Sequence, residues 1–128
     1  MIHLDTHAVV WLAAGELERF APSVQLLLEK AECAVSPMVR LELDYLYEIG
    51  RLKFPGGDLI QYLTAKIGLA LDGTSFAEVI AKAGELAWTR DPFDRIICAT
   101  ALVASASLLT KDATILANVP TAFWEQPP

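Results

Sequence analysis

Short apolar runs alternate with longer amphipathic stretches along the whole chain. A run of three or four apolar residues between turn signals predicts a strand that is buried on both faces. Strands are predicted at residues 2–4, 33–35, 69–71, 107–110 and 121–124. Helical periodicity predicts helices at residues 6–14, 22–32, 37–49, 58–67, 76–86 and 92–104, and a short turn or helix from Asp112. Strands that alternate with helices favour a parallel sheet covered on both faces, so the predicted fold class is α/β.

The composition is that of a folded protein. The chain has 128 residues, of which 54% are hydrophobic and 20% charged, and this excludes intrinsic disorder. The length suits a single domain over residues 1–128. No apolar run is long enough to span a membrane and the start lacks a basic leader, so we expect a cytoplasmic protein. Cys33 and Cys98 lack metal-ligand spacing and are interpreted as small core residues.

The charge balance argues against a protein that holds nucleic acid through bulk electrostatics. Ten Lys and Arg residues face sixteen Asp and Glu residues, which leaves a net charge of −6. A phosphodiester substrate would therefore need metal ions or a few local basic residues to supply positive charge. The same acidity would suit a basic protein partner.

Two predicted strands end at or just before an aspartate, Asp5 in the first case and Asp112 in the second. Ligands of open α/β sheets bind outside the carboxyl ends of the strands. If these two strands are parallel, both carboxylates lie at the same edge of the sheet. Capping of the helix that follows is the alternative explanation for each aspartate, and the sequence leaves both explanations open.

Glu42 is predicted to lie on or beside the apolar face of a helix. In the helix that begins after Ser36, the apolar stripe is assigned to Met38, Leu41, Tyr45, Leu46 and Ile49. Glu42 is four residues after Met38 and three before Tyr45. A carboxylate there is unfavourable unless a cation or hydrogen-bond donors meet it, although a Glu that reaches past the rim of the core is the alternative.

Asp91 and Asp94 open the predicted helix at residues 92–104. Their spacing resembles a capping box, in which Asp91 is the N-cap and Asp94 reaches back in the first turn. Asp94 is also in helical register with Ile97 and Cys98, which belong to an apolar face. We therefore expect Asp91 to cap the helix and Asp94 to point inward, towards the same edge of the sheet.

Asp5, Glu42, Asp94 and Asp112 thus come from four segments and can converge. At separations of about 5 Å, each ionised pair repels by roughly 3 kcal/mol at an effective dielectric near 20. Such a cluster requires divalent cations or raised pKa values. Carboxylate oxygens suit Mg²⁺ or Mn²⁺, and a metal held in this way activates water and stabilises charge on a phosphodiester, so no protein nucleophile is required.

Four segments resemble, in the same order, the motifs of PIN-domain ribonucleases: residues 2–7 (IHLDTH), Glu42, residues 91–95 (DPFDR) and residues 109–112 (LTKD). The likeness covers the chain from Met1 to about Trp124 and is greatest to VapC-type toxins of prokaryotic toxin–antitoxin pairs. It implies a PIN-like three-layer α/β/α fold with a short central parallel sheet. It also implies a Mg²⁺-dependent endoribonuclease, with Mn²⁺ as a substitute, that forms homodimers and is inhibited by a VapB-like antitoxin.

Carried over by position, the resemblance makes Asp5 and Asp94 the principal metal ligands. Glu42 corresponds to the third acid, which binds metal or orients the attacking water. Asp112 corresponds to the fourth acid, which often acts through water. Leu41 stands where the family often has an aromatic residue, and we interpret this as a difference in packing that leaves the chemistry intact.

Polar and basic residues beside the acids are further candidates. Thr6 and Thr110 flank the site, where each would hydrogen-bond a carboxylate or a phosphate, or simply cap its helix or strand. Arg95 and Lys111 are candidate phosphate contacts, with solvated surface charge as the alternative. Trp11 is expected to be a core or dimer-contact residue rather than a base-stacking platform, because no basic residues interleave with the aromatic ones.

Other classes of protein also place acids at strand ends. A phosphate-accepting receiver module needs an acidic pair after the first strand, and a dehalogenase-like phosphatase needs a second aspartate two residues after Asp5; the chain has neither. A catalytically silent PIN-like module that binds proteins is disfavoured, because all four acids are present. A nuclease that acts on DNA stays open, because nothing in the sequence recognises a 2′-hydroxyl.

Overall fold

The computed structural model describes residues 1–128 and contains five strands and seven α-helices. The strands are β1 (Ile2–Leu4), β2 (Cys33–Val35), β3 (Ala70–Leu71), β4 (Ser107–Leu109) and β5 (Ala122–Phe123). The helices are α1 (Thr6–Ala13), α2 (Pro22–Lys30), α3 (Pro37–Glu48), α4 (Gly56–Ile67), α5 (Phe76–Ala83), α6 (Pro92–Val103) and α7 (Ala113–Asn118). A 3-10 helix at Leu17–Arg19, between α1 and α2, was not predicted.

All five strands lie parallel in one sheet, in the order β3-β2-β1-β4-β5. The chain winds outward from β1 through β2 to β3, then returns to the other side of β1 for β4 and β5. Strands β1 and β4 therefore flank the point at which the winding direction reverses, where open α/β sheets form a crevice beyond the strand ends. The helices cover the sheet in an α/β/α arrangement, which confirms the predicted fold class.

The centre of the domain is mainly apolar, as the composition predicts. Every residue of β1 and β2 is buried, and helix α6 buries the continuous run Ile97–Ala101 against the sheet. Cys33 and Cys98 are buried free thiols, in agreement with their interpretation as core residues. Burial, with a smaller contribution from nearby carboxylates, raises the pKa of Cys98 to about 12, so this thiol is inert at neutral pH. No helix has the length and apolar character needed to cross a membrane.

The apolar stripe predicted for α3 is wrong. The helix buries Val39 and Leu43, whereas Leu41 and Tyr45 are about half exposed. Apolar residues occur on nearly every side of α3, so its sequence does not define one stripe, and contacts with α4 and α6 decide which side is buried. Glu42 nevertheless lies beside the buried face, because it follows Val39 by three residues and is itself partly buried.

Helix α4 begins at Gly56, two residues earlier than predicted. The amide of Gly56 donates a hydrogen bond of 2.7 Å to Asp44 Oδ1 of α3, which caps the helix from a neighbouring element. A Cβ at Gly56 would lie 2.6 Å from the carbonyl oxygen of Arg40, so only glycine permits this close approach of α4 to α3. The cap is invisible in the local sequence because its acceptor is twelve residues away.

Candidate active site

The four predicted acids line one open cavity of about 420 Å³. It lies beyond the carboxyl ends of β1 and β4, where the winding of the sheet reverses. The lining consists of five carboxylates and three other side chains: Asp5, Glu42, Asp91, Asp94, Asp112, His7, Trp11 and Lys111. The structure thus brings together the acids that the sequence predicts, from four separate segments.

Asp5 is the most buried of these acids, with 7% of its surface exposed. Its amide donates to the carbonyl of Leu109, which continues the pairing of β1 with β4 by one residue. Asp5 Oδ1 accepts a 2.8 Å hydrogen bond from the amide of Thr6 and thereby caps α1, while Oδ2 accepts a 2.6 Å bond from Thr110 Oγ1. Burial raises the pKa of Asp5, and these two donors oppose the rise because they stabilise the carboxylate.

Glu42 is held by the other threonine of the site. The hydroxyl of Thr6 donates a short hydrogen bond to Glu42 Oε1 and is itself fully buried. Burial raises the pKa of Glu42, the bond from Thr6 lowers it, and the nearby carboxylates of Asp5 and Asp91 raise it further. The alternative in which Glu42 extends past the core into solvent is therefore wrong, since its carboxylate is fixed inside the cavity.

Asp94 lies in the first turn of α6, behind the N-cap Asp91. Asp91 Oδ1 accepts from the amides of Phe93 at 2.8 Å and Asp94 at 3.4 Å, which agrees with its predicted capping role. Asp91 also lines the cavity, a role that we did not predict. Burial and four neighbouring carboxylates raise the pKa of Asp94 to about 7, and no hydrogen bond to its carboxylate opposes that rise.

Asp112 and Thr110 connect the end of β4 to the site. Asp112 caps α7 through a 2.9 Å bond from the amide of Ile115, and its own amide donates to Thr110 Oγ1 at 3.1 Å. Thr110 therefore contacts both strand-end acids, donating to Asp5 and accepting from Asp112. Helix capping and participation in the site, which the sequence left as alternatives for Asp5 and Asp112, occur together.

The two predicted phosphate contacts differ in their placement. Lys111 lines the cavity and is exposed. The Arg95 guanidinium instead donates to the carbonyl of Ala83 at 3.0 and 3.1 Å and to that of Gly84, at the end of α5, and it does not line the cavity. The structure thus assigns Arg95 to the packing of α5 on α6 and does not support it as a phosphate contact.

The donor set has the chemistry of a site for a hard divalent cation. All of the predicted ligands are carboxylates, and both burial and the negative charge of four neighbouring carboxylates raise the pKa of Asp94. No three side chains lie close enough together to hold one ion between them. Mg²⁺ generally keeps several waters and binds proteins through one or two carboxylates, so the residues fit an ion whose shell water completes.

Fold and cavity together define an α/β domain with a carboxylate-lined crevice where its sheet reverses direction. The sequence model of the PIN domain matches residues 2–120, nearly the whole chain. The chain belongs to the PIN domain family. No curated protein sequence matches it.

Several solved structures share this fold. One is VapBC2 from Rickettsia felis bound to a DNA fragment from their promoter, with a TM-score of 0.68 and 18% identity over 98% of this chain and 100% of that one. A toxin–antitoxin complex from Klebsiella pneumoniae has a TM-score of 0.69 and 17% identity, with 100% of both chains covered. VapBC-1 from nontypeable Haemophilus influenzae has a TM-score of 0.66 and 20% identity, with 98% of both chains covered.

Proposed function

We propose that this protein is a metal-dependent endoribonuclease, the toxin of a toxin–antitoxin pair, which hydrolyses RNA phosphodiester bonds. The observation that carries the proposal is the convergence of Asp5, Glu42, Asp94 and Asp112 on one open cavity at the strand ends. Membership of the PIN domain family supports it.

Asp5 and Asp94 are the proposed principal ligands of Mg²⁺ or Mn²⁺. A divalent ion supplies activation of the attacking water and neutralisation of charge on the phosphodiester. Thr110 and the amide of Thr6 hold the Asp5 carboxylate in one orientation and oppose the rise in its pKa that burial causes. Asp94 has a pKa of about 7, so it gives up its proton readily when a cation is present and keeps it readily when none is.

Glu42 and Asp112 complete the proposed machinery. The hydroxyl of Thr6 points the Glu42 carboxylate into the cavity, where it is suited to orient a water or to bind the metal. Asp112 is tied to α7 by its cap and is suited to contact the metal shell through water. Neutral Asp or Glu side chains are poor ligands for a cation and poor acceptors of a proton from water, so we expect activity to require ionised carboxylates.

We propose a VapB-like antitoxin as the protein partner and a homodimer as the assembly. Similar structures described as VapBC and toxin–antitoxin complexes support the first proposal. Large exposed apolar side chains on α3 and α5, including Leu41 and Phe76, support the second, because isolated soluble domains seldom expose clusters of this kind. Light scattering of the purified chain tests the dimer; a monomer at micromolar concentration would contradict it.

Cleavage of total cellular RNA tests the activity. The purified protein is incubated with Mn²⁺, with EDTA, and as the Asp5→Asn variant with Mn²⁺. We expect discrete products only from the first reaction, and a Glu48→Gln variant should cleave normally because Glu48 is an exposed acid of α3 that does not line the cavity. Products that persist in EDTA would contradict the metal requirement.

The same reactions on single-stranded and duplex DNA identify the substrate. Cleavage of DNA but not RNA would overturn the ribonuclease proposal and keep the metal-dependent nuclease. A folded protein that binds Mn²⁺ but cleaves neither nucleic acid would indicate a PIN domain that acts by binding proteins.

A further inference from the structure

The side chains of the cavity that are not acidic belong to one wall. His7 and Trp11 lie one turn apart on α1, with ring centroids 5.8 Å from each other. Lys111 follows β4, the strand that pairs with the one leading into α1. We call His7, Trp11 and Lys111, with Arg19 beside them, the aromatic–basic wall.

Two cations lie against the indole of Trp11. The guanidinium carbon of Arg19 is 4.8 Å from the ring centroid and the ammonium of Lys111 is 5.8 Å from it. Arg19 comes from the unpredicted 3-10 helix and Lys111 from a loop ninety-odd residues further along the chain. Basic and aromatic residues therefore interleave in space although they do not in sequence, and the expectation that Trp11 is only a core or dimer contact is too narrow.

Core residues hold the indole in place. Trp11 packs against Trp124 and Phe20 with centroid separations of 5.6 and 6.4 Å and steeply inclined rings. Phe20 is buried, whereas Trp11 is partly exposed and lines the cavity. A ring fixed in this way loses little freedom when a ligand stacks on it, which favours binding.

The charges show why such a wall is needed. Lys111 is the only Lys or Arg among the residues lining a cavity that holds five carboxylates. It makes no ion pair with any of them, and its ammonium lies over Trp11 instead. The positive charge is therefore available to an incoming phosphate at the only side of the cavity that does not repel it.

We propose that the aromatic–basic wall is a nucleotide subsite for single-stranded RNA. Trp11, with His7 beside it, stacks one base, while Lys111 contacts an adjoining phosphate and keeps the strand close to the acids. Arg19, whose guanidinium is paired with Glu16 at 2.6 Å, supports the indole from outside the cavity. Stacking on aromatic residues beside basic ones is how proteins bind single strands without sequence preference. This inference rests on the proposed ribonuclease function, because it names the element that holds the substrate of that site.

Binding in EDTA, where no metal-dependent cleavage occurs, tests the subsite. The probes are fluorescein-labelled oligoadenylate and inorganic polyphosphate of matching charge, titrated with the full chain. Trp11→Leu should weaken oligoadenylate binding by roughly 10-fold and leave polyphosphate binding unchanged, because only the first probe has bases to stack. Trp11→Phe should recover most of the loss.

Lys111→Met should weaken both probes and reduce the dependence of log Kd on log salt by about 0.7, the value for one phosphate contact on a single strand. The chain offers matched controls. Trp88→Leu alters another partly buried tryptophan outside the cavity, and Lys66→Met alters another lysine that lies over an aromatic ring, at 5.4 Å from the Tyr62 centroid. Neither control should change binding, and thermal unfolding of every variant confirms that it is folded.

The outcomes separate this subsite from the nuclease activity. Equal loss of both probes in Trp11→Leu, or no loss of either, would overturn stacking, and so would failure of the wild type to bind oligoadenylate. If Trp11→Leu cleaves RNA normally at low RNA concentration, the nuclease proposal stands and the subsite proposal is wrong. Binding that depends on Trp11 without any cleavage would keep the subsite and remove the nuclease. Loss of antitoxin binding alone would assign the wall to a protein partner.

Discussion

Asp5 lies at the end of a strand and receives two hydrogen bonds, whereas Asp94 lies in the first turn of a helix and its carboxylate receives none. Both line the same cavity. Burial raises the pKa of each, but donors counteract the rise at Asp5, while at Asp94 neighbouring carboxylates add to it and bring the pKa to about 7. The carboxylate of Asp5 is therefore fixed in orientation by two donors, whereas that of Asp94 has no donor to stabilise its charge.

The difference follows from where each residue is attached. The strand end beside β4 offers Asp5 a backbone amide and a threonine hydroxyl from the next strand. The first amides of α6 are satisfied by Asp91 instead, so none is left for the Asp94 carboxylate. Because the carboxylate of Asp94 has no donor of its own, we expect a bound divalent cation to stabilise the folded protein strongly.

The largest expected effect is stabilisation by metal. Mn²⁺ at about one hundred times its Kd should raise the free energy of unfolding by about 2.7 kcal/mol, because the ion binds the folded state. The rise in Tm should be of the order of 10 °C for a domain of this size, measured by differential scanning fluorimetry. Asp5→Asn and Asp94→Asn should each lose most of it, and Glu48→Gln none. A Tm indifferent to millimolar Mn²⁺ would rule out the shared site.

The second largest effect is expected when the hydroxyl of Thr110, which donates a hydrogen bond to Asp5, is removed. Thr110→Val deletes the hydroxyl that donates to Asp5 and accepts from Asp112, so we expect activity and Mn²⁺ affinity to fall roughly 10- to 100-fold. Thr100→Val is the matched control, because Thr100 is equally buried but bonds to Ser36 and Ile96. Loss of stability without loss of Mn²⁺ affinity would make Thr110 merely structural.

A smaller and opposite effect is expected for the unsatisfied acid. Asp94→Asn should stabilise the metal-free protein by about 1 kcal/mol at pH 8, because it removes a charge that burial and four carboxylates disfavour. Asp5→Asn should stabilise less, because the weakened hydrogen bonds from Thr6 and Thr110 offset the relief of removing a buried charge. Chemical denaturation in EDTA measures the free energy of unfolding of both variants. Equal stabilisation by the two substitutions would contradict the proposed difference between Asp5 and Asp94.

A dependence of stability on pH should accompany this effect and be of similar size, because both come from the charge of Asp94. The pKa of Asp94 is 3.8 in its ordinary state and about 7 in the fold, so between these values the folded chain binds more protons than the unfolded one. The free energy of unfolding of the metal-free protein should therefore fall as pH rises from 4 to 7 and level off above 7. The fall should be shallower in Asp94→Asn, measured by denaturation at each pH. Parallel curves for the two proteins would show that Asp94 does not titrate in this range.

Much of the fold was predictable because it depends on local patterns. The strands β1 and β2 and the first residues of α3, α5 and α6 agree with prediction, since buried runs and helix starts are encoded within a few residues. The buried face of α3 and the start of α4 were predicted wrongly for the complementary reason. Both depend on a neighbouring helix rather than on the residues of the element itself.

The acids of the cavity could be proposed from sequence, because strand ends and helix starts are visible in it and parallel strands share one edge. The hydrogen bonds that hold these acids in place were only partly predictable. Thr6 and Thr110 were candidates by adjacency, but the contact from Thr110 to Asp5 joins residues 105 positions apart and that from Thr6 to Glu42 joins residues 36 apart. Arg95 was expected to contact phosphate but binds the last carbonyls of α5, which become available only when α5 packs on α6.

The sequence by itself determined an α/β chain with two acids at strand ends, one at a helix start and one beside the buried face of a helix, since periodicity and capping act over short distances. Only the tertiary structure decided which acids are hydrogen-bonded, which one is left with a pKa near neutrality, and that Arg19 and Lys111 meet on Trp11. Those properties depend on burial and on distances between atoms of remote segments. Burial and these distances are fixed only when the strands pair in the sheet, so the residues of one segment do not determine them.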